Sequence, residues 1–245
     1  RVQLASTATA EPQWLEERRR KGAELVESLP LPDRKSKGWE FTNLRKLKLD
    51  SYENSAAEVE VSGGGDGVVV LPLAEAVGEQ ADLIGEKLGS LVPADDYFVA
   101  RNEVAWNDGV LVFVPRNVIS EEPVRIQLNL DAEGAAVNWR TLIVLEEGAQ
   151  AEVWENCVSA GDDTYALLNS VVEIAVGQNA NLNYVSTQDL SEKAWLFSSQ
   201  RAQVDRDGKL DWAALGFGGG NGKVRMTTNL AGQGAEARVT GGYAG

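Results

Sequence analysis

The side chains that could do chemistry in this chain are few, and their neighbours narrow them further. Cys157 is the one thiol among 245 residues, and there is no histidine. A nucleophilic cysteine needs a cation or a base beside it, yet Glu152 and Glu155 flank Cys157 and would raise its pKa. The lack of imidazole also removes Ser-His and Cys-His nucleophile pairs and almost every zinc arrangement. Cys157 therefore reads as a small residue packed in a core or groove, with a sulfur-relay or ligand role as the alternative. Strand alternation puts it on one face with Val153 and Glu155, which leaves its side ambiguous. One thiol without imidazole cannot hold a metal cluster alone, so no cofactor is expected on this chain by itself.

Four acidic pairs, Asp95-Asp96, Glu121-Glu122, Glu146-Glu147 and Asp162-Asp163, fall in predicted turns. Glycoside hydrolysis needs two carboxylates converging across a cleft. Neighbours within one turn point apart and prefer water. The stretch Gly216 to Val224 has the glycines of a phosphate loop, but Phe217 stands where that motif needs glycine and Val224 where it needs Ser or Thr. Arg18-Arg19-Arg20-Lys21, interleaved with Glu16, Glu17 and Glu24, reads as a solvated helix face. No catalytic, cofactor-binding or metal-ligating residue is assigned.

The elements that must position these groups are mainly β. From Arg140 onward four passages repeat one pattern: Ala151-Glu152-Val153-Trp154, Ala180-Asn181-Leu182-Asn183-Tyr184, Gly208-Lys209-Leu210-Asp211-Trp212 and Ala235-Glu236-Ala237-Arg238-Val239. The inward positions Val153, Leu182, Leu210 and Ala237 lie 29, 28 and 27 residues apart. Strand alternation at such a spacing predicts a parallel β-solenoid. Short strands are expected at Tyr97–Ala100, Val110–Val114, Val124–Leu130 and Thr141–Leu145, parted by Asn-Asp-Gly, Pro and Glu-Glu-Gly punctuation.

Before them the pattern is mixed. Residues 1–10 should be frayed. A helix should open at Glu11-Pro12 and stop at Leu29-Pro30, since the residue before proline leaves the helical region. Phe41, Leu44 and Leu47 suit a short helix or turn, Val68–Leu71 a strand, and Ala74–Leu91 a helix. The expected division is a mostly helical cap over 1–92 and a solenoid over 93–245. Of the seven tryptophans, Trp106, Trp139, Trp154, Trp195 and Trp212 belong to the β body, and Trp39 could pin the cap to it.

Composition sets outer bounds. Apolar content of 43% with 24% charged residues fits an ordinary globular protein. With 23 basic and 37 acidic residues the net charge is −14, which disfavours nucleic acid as a partner. No run of eighteen apolar residues suggests a membrane span, and no signal peptide is visible. With a lone cysteine, a cytoplasmic setting is expected.

The stretch Asn102-Glu103-Val104-Ala105-Trp106-Asn107-Asp108-Gly109 followed by Val110-Leu111-Val112-Phe113-Val114-Pro115 resembles the SufB/SufD family of iron–sulfur assembly proteins. Thr141-Leu142-Ile143-Val144-Leu145-Glu146-Glu147-Gly148-Ala149 resembles that family's next hallmark. Leu29-Pro30-Leu31-Pro32 with Trp39-Glu40-Phe41-Thr42-Asn43-Leu44 looks like its SufD branch. The resemblance implies a right-handed parallel β-helix after a helical N-terminal region. It also implies a non-catalytic scaffold that pairs with SufB through the β-helix and carries the SufC ATPase on a C-terminal segment. The iron–sulfur cluster would be handled by the complex. Against that pattern the chain stops in a strand at Gly245, so a chain cut short is expected, without the SufC dock. The family's interface histidine maps to no position here. The rival expectations are a carbohydrate-active β-helix enzyme, a lyase or hydrolase, and a homodimer formed by β-helix edge pairing.

Overall fold

The computed structural model describes residues 2–3 and 11–244. The expected frayed start lies outside the described residues, apart from Val2–Gln3, which form strand β1. Helix α1 (Gln13–Ser28) begins after Pro12 and ends at Leu29, whose ψ of 128° is the extended value that Pro30 imposes. Two single 3₁₀ turns, Leu44–Lys46 and Leu49–Ser51, fill the place where a short helix or turn is expected. Strands β2 (Glu53–Asn54), β3 (Glu58–Ser62) and β4 (Val69–Pro72) follow, then helices α2 (Leu73–Glu79) and α3 (Ala81–Lys87). The single helix expected over Ala74–Leu91 is thus two, broken at Gln80, whose φ and ψ of −123° and 40° are not helical.

Helix α4 (Tyr97–Ala105) corrects the strand expected at Tyr97–Ala100. Tyr97, Phe98 and Val99 have high β propensity, but the Asp96 carboxylate accepts the N–H groups of Phe98 and Val99 and starts a helix instead. The β body is then continuous: β5 (Asp108–Val114), β6 (Val124–Leu130), β7 (Ala135–Leu145), β8 (Gln150–Ser159) and β9 (Leu167–Val176). It runs on through β10 (Asn181–Asp189), β11 (Trp195–Val204), β12 (Lys209–Gly216), β13 (Asn221–Leu230) and β14 (Glu236–Tyr243).

These strands wind a β-solenoid of about five turns from two facing sheets. Sheet A runs β1-β3-β6-β8-β10-β12-β14, and sheet B runs β13-β11-β9-β7-β5-β4 with β2 beside β7. From β6 and β5 onward every neighbour is parallel, while β3 and β4 join antiparallel at the first coil. Each coil stacks like on like. Leu182 lies beside Leu210, and Leu210 beside Ala237, as the spacing predicts. In the first copy, however, the partner of Leu182 is Ala151, and Val153 sits beside Tyr184. A two-residue slip keeps the same face inward, so sequence alternation alone cannot detect it.

One corner of the coils has its own ladder. Asn117, Gly148, Asn179, Asp207 and Gly234 all have φ between 55° and 73°. The N–H of each of the first four donates to a carbonyl one residue before the next, at 2.9–3.0 Å. Asn and Asp tolerate this left-handed conformation better than other side-chain residues, and glycine adopts it freely. At Gly148 a Cβ would lie 2.4 Å from Asn117 Oδ1, so a larger residue there would also push the Asn117 side chain aside.

The N-terminal elements lie on the outer face of sheet B. Leu15, Leu73, Ile84, Leu88 and Trp106 pack on Leu111, Leu142 and Val144, which point outward from β5 and β7. Trp39 stacks on Phe98 and meets Phe197 at a tilt, with ring centroids 5.4 and 6.0 Å apart, which pins the N-terminal loops to β11. Sheet B is therefore covered on both faces at β7 and β9, and β7 is buried at every position, while β13 at its far edge is not. Sheet A alternates instead, as in β6, where Val124, Ile126 and Leu128 are buried while Arg125 and Gln127 are exposed.

Candidate functional site

Alternation decides what the lumen receives. On β8, Val153, Glu155 and Cys157 point in, while Trp154 points out and is 44% exposed. The first coils fill the lumen with Val110, Val112, Val114, Val124, Ile126 and Leu128. Further along polar groups enter it: Glu155, Cys157, Ser170, Tyr184, Ser198 and Gln200 share with Leu168, Val172, Leu196 and Leu215 the walls of a mainly apolar cavity of about 50 Å³. That space has room for a few water molecules.

Glu155 is the centre of this cluster. Trp139 Nε1 and Thr141 Oγ1 donate to its Oε1 at 2.8 and 2.7 Å, and the Tyr184 hydroxyl donates to Oε2 at 2.5 Å. Burial pushes its carboxyl above the ordinary range, and the hydrogen bonds from Tyr184, Thr141 and Trp139 only partly offset that. Both hydroxyls can turn and accept, so the cluster can serve a neutral carboxyl as well as an ionised one. Burial, helped by the Glu155 charge, raises the half-buried Cys157 thiol well above its usual value. Nearby, Ser170 Oγ and Gln200 Nε2 both donate to Ser198 Oγ, at 2.7 and 2.8 Å. The lumen thus holds a thiol and a carboxyl whose pKa values burial raises, together with hydroxyls, and it does not activate a nucleophile.

A second buried network lies just outside the same sheet. Arg140 Nη2 meets Glu103 Oε2 at 2.5 Å, its Nε donates to Asn102 Oδ1 at 2.8 Å, and Glu173 Oε2 lies 3.8 Å from Nη1. Arg18 reaches Glu103 Oε1 from α1 at 2.7–2.8 Å. Burial pushes Glu103 up, but the Arg140 charge and the bonds from Arg18 outweigh it and hold the carboxyl low. Asparagines extend the network. Asn102 Nδ2 donates to the Trp139 and Asn169 carbonyls, Asn169 to Asn138, and Asn138 to Asn54.

The other predicted candidates stay apart. Asp96 caps α4, Glu147 pairs with Arg116, and Asp163 pairs with Lys193, each in its own turn. Residues 221–230 form a strand, as expected in place of a phosphate-loop helix, and Lys223 Nζ lies 4.8 Å from the Trp39 ring centroid. The basic run is only half a solvated face: Arg20 and Lys21 pair with Glu24 and Glu17, but Arg18 and Arg19 turn inward. Arg19 bonds the Val104 carbonyl and lies 4.7 Å from the Trp106 ring. Among the described residues no group of three His, Cys, Asp or Glu side chains is placed to hold a metal ion. Among the described residues no helix is long and apolar enough to cross a membrane.

Comparison with known proteins bears on both regions. A family model described as SufBD protein N-terminal region matches residues 50–126. Another, described as SUF system FeS cluster assembly, SufBD core domain, matches residues 128–245. Iron–sulfur cluster assembly SufBD family proteins of Staphylococcus epidermidis and Staphylococcus haemolyticus are each 30% identical over 162 residues. A Staphylococcus aureus protein of the same description is 28% identical over the same length. These matches cover 66% of the chain and 34% of each relative, so the chain spans about a third of the curated relatives' length.

Proposed function

Because the chain belongs to the SufB/SufD family of iron–sulfur cluster assembly proteins, we propose that it acts as a SufD-type scaffold in a SUF assembly complex. The observation that carries this is the pair of family matches, which between them take in the solenoid and the elements from β2 onward. In this reading the 1–92 region and the 93–245 solenoid serve as one platform. The solenoid pairs with SufB, SufC supplies ATP-driven motion, and the cluster is cargo of the complex in the cytoplasm. The protonated state of Cys157 supports a role without catalysis by this chain, since the thiolate is the nucleophile and the metal ligand.

The test is affinity capture of the full-length protein from its own cells. Recovery of SufB and SufC in stable ratio is the expected result. Recovery alone, under conditions that keep other complexes intact, refutes the proposal. The SufD assignment is separable: if the captured partner is a second SufD-type chain, the protein holds the SufB place instead.

A further inference from the structure

Between α3 and α4, residues 89–96 cross the outer face of sheet B, and three neighbouring strands each give this segment one charged side chain. From β9, Glu173 accepts the N–H groups of Gly89, Leu91 and Val92 at 2.6, 2.8 and 3.0 Å. From β11, Arg201, paired beside Glu173, donates to the Leu91 carbonyl at 2.8 Å. From β13, Arg225 reaches Asp96 at 3.0 Å and Asp95 at 3.4 Å. On the helix side, Arg18 donates to the Leu88 carbonyl, and its guanidinium fills the space where a side chain at Gly89 would lie.

Apolar support for this segment is slight. Val92 and Ala94 pack in a small cluster with Val99 and Val171. The helices beside it are held differently, through the apolar cluster of Leu15, Leu73, Ile84 and Leu88 on Leu111, Leu142 and Val144. The two attachments differ in what opening costs. Exposed apolar surface loses its burial energy outright, about 25 cal/mol per Å². Exposed charges and peptide groups regain water, which offsets most of what their partners supplied.

We propose that residues 89–96 form a releasable strap, which lifts from β9, β11 and β13 by local opening while the solenoid and the helix α1–α3 layer stay folded. Such openings involve contiguous units at the low-stability end of a structure. Glu173 is the fastening point, because one carboxylate holds three of the strap's backbone donors. Arg140 remains beside Glu173 and Glu103 when the strap leaves, so the sheet keeps a compensated charge.

Hydrogen exchange on the whole protein, resolved to single amides, tests this. The amides of Gly89, Leu91 and Val92 should exchange at least about tenfold faster than interior amides of β9 and β11, and Glu173→Gln should speed those three by about tenfold more, as expected for loss of bonds to a charged acceptor. Should Glu173→Gln fail to fold, the double substitution Arg201→Gln with Arg225→Gln removes two partly exposed fasteners. It should speed exchange across 89–96 and leave the strands unchanged. Equal rates for strap and strands in the unaltered protein would overturn the proposal. So would substitutions whose effects spread evenly over β9 and β11.

Discussion

Four consecutive residues of β7, Asn138 to Thr141, feed two different interiors. Trp139 and Thr141 point into the lumen and hold Glu155, while Asn138 and Arg140 point outward and hold Asn54, Asn102 and Glu103. Both glutamates are buried to 5% exposure or less. They titrate in opposite directions, because Glu103 faces two guanidinium groups and Glu155 faces only neutral donors. The lesson is that burial alone does not fix a carboxyl's state. The charge across from it does, and strand alternation chose that charge.

The comparison breaks first at Arg140. Replacing it by methionine strands Glu103 and Glu173 without their shared cation, and removal of one partner from a buried pair typically costs about 3–5 kcal/mol. Denaturant unfolding should show that loss, and Glu103→Gln in the same chain should restore part of it. A loss below about 1 kcal/mol would mean the outer network is not compensated by charge at all.

Inside the lumen the penalty should be smaller. Glu155→Leu leaves the Trp139, Thr141 and Tyr184 donors without their shared acceptor, at a cost of about 1–3 kcal/mol. If it equals the Arg140 effect, the contrast between the two faces fails.

Titration sharpens the contrast by sign. The folded-state pKa of Glu155 is raised, so its contribution is full at acid pH and is lost as pH rises from the ordinary glutamate range through the raised value. The pKa of Glu103 is lowered, so its contribution is present above that range and is lost as pH falls through the lowered value. Unfolding midpoints across pH should therefore show Glu155→Gln removing a decline on the rising side and Glu103→Gln removing one on the falling side. Parallel profiles for the two variants would refute the assignment.

The smallest effect belongs to the bare face of sheet A. Trp154→Ala removes an exposed ring whose Nε1 bonds Glu152, two residues away, and stability should change by no more than about 0.5 kcal/mol.

Much of this was open to reading from the residues. The small–polar–aliphatic repeat marked the solenoid, because stacked coils demand the same inward position each time. The first copy slipped by two because Ala151 and Val153 are both small enough to face in. Helix α4 was hidden because one cap at Asp96 outweighed three residues that favour strands. Glu155 escaped because a carboxylate on an inward position contradicts the polar-out rule. Its signal was the alternation Val153, Glu155, Cys157 set against Trp154 and Asn156. Arg140 escaped because nothing near it in sequence shows that sheet B is covered on both sides. The long stretch with no exposed position in β7 is visible only once the helices are placed.

The left-handed corner has a consequence for how such a chain can grow. Asn117, Gly148, Asn179, Asp207 and Gly234 lie 31, 31, 28 and 27 residues apart and mark the same point on successive coils. Each interval is a cassette whose two ends share one backbone geometry. Duplicating residues 149–179 in tandem should lengthen the protein by one storey without disturbing those on either side, as neighbour-only contacts permit. An insertion that moves the corner residue out of step would instead place a side chain where the backbone admits few. The corner is thus a ruler written into the chain, and gene-level tinkering has to respect its marks.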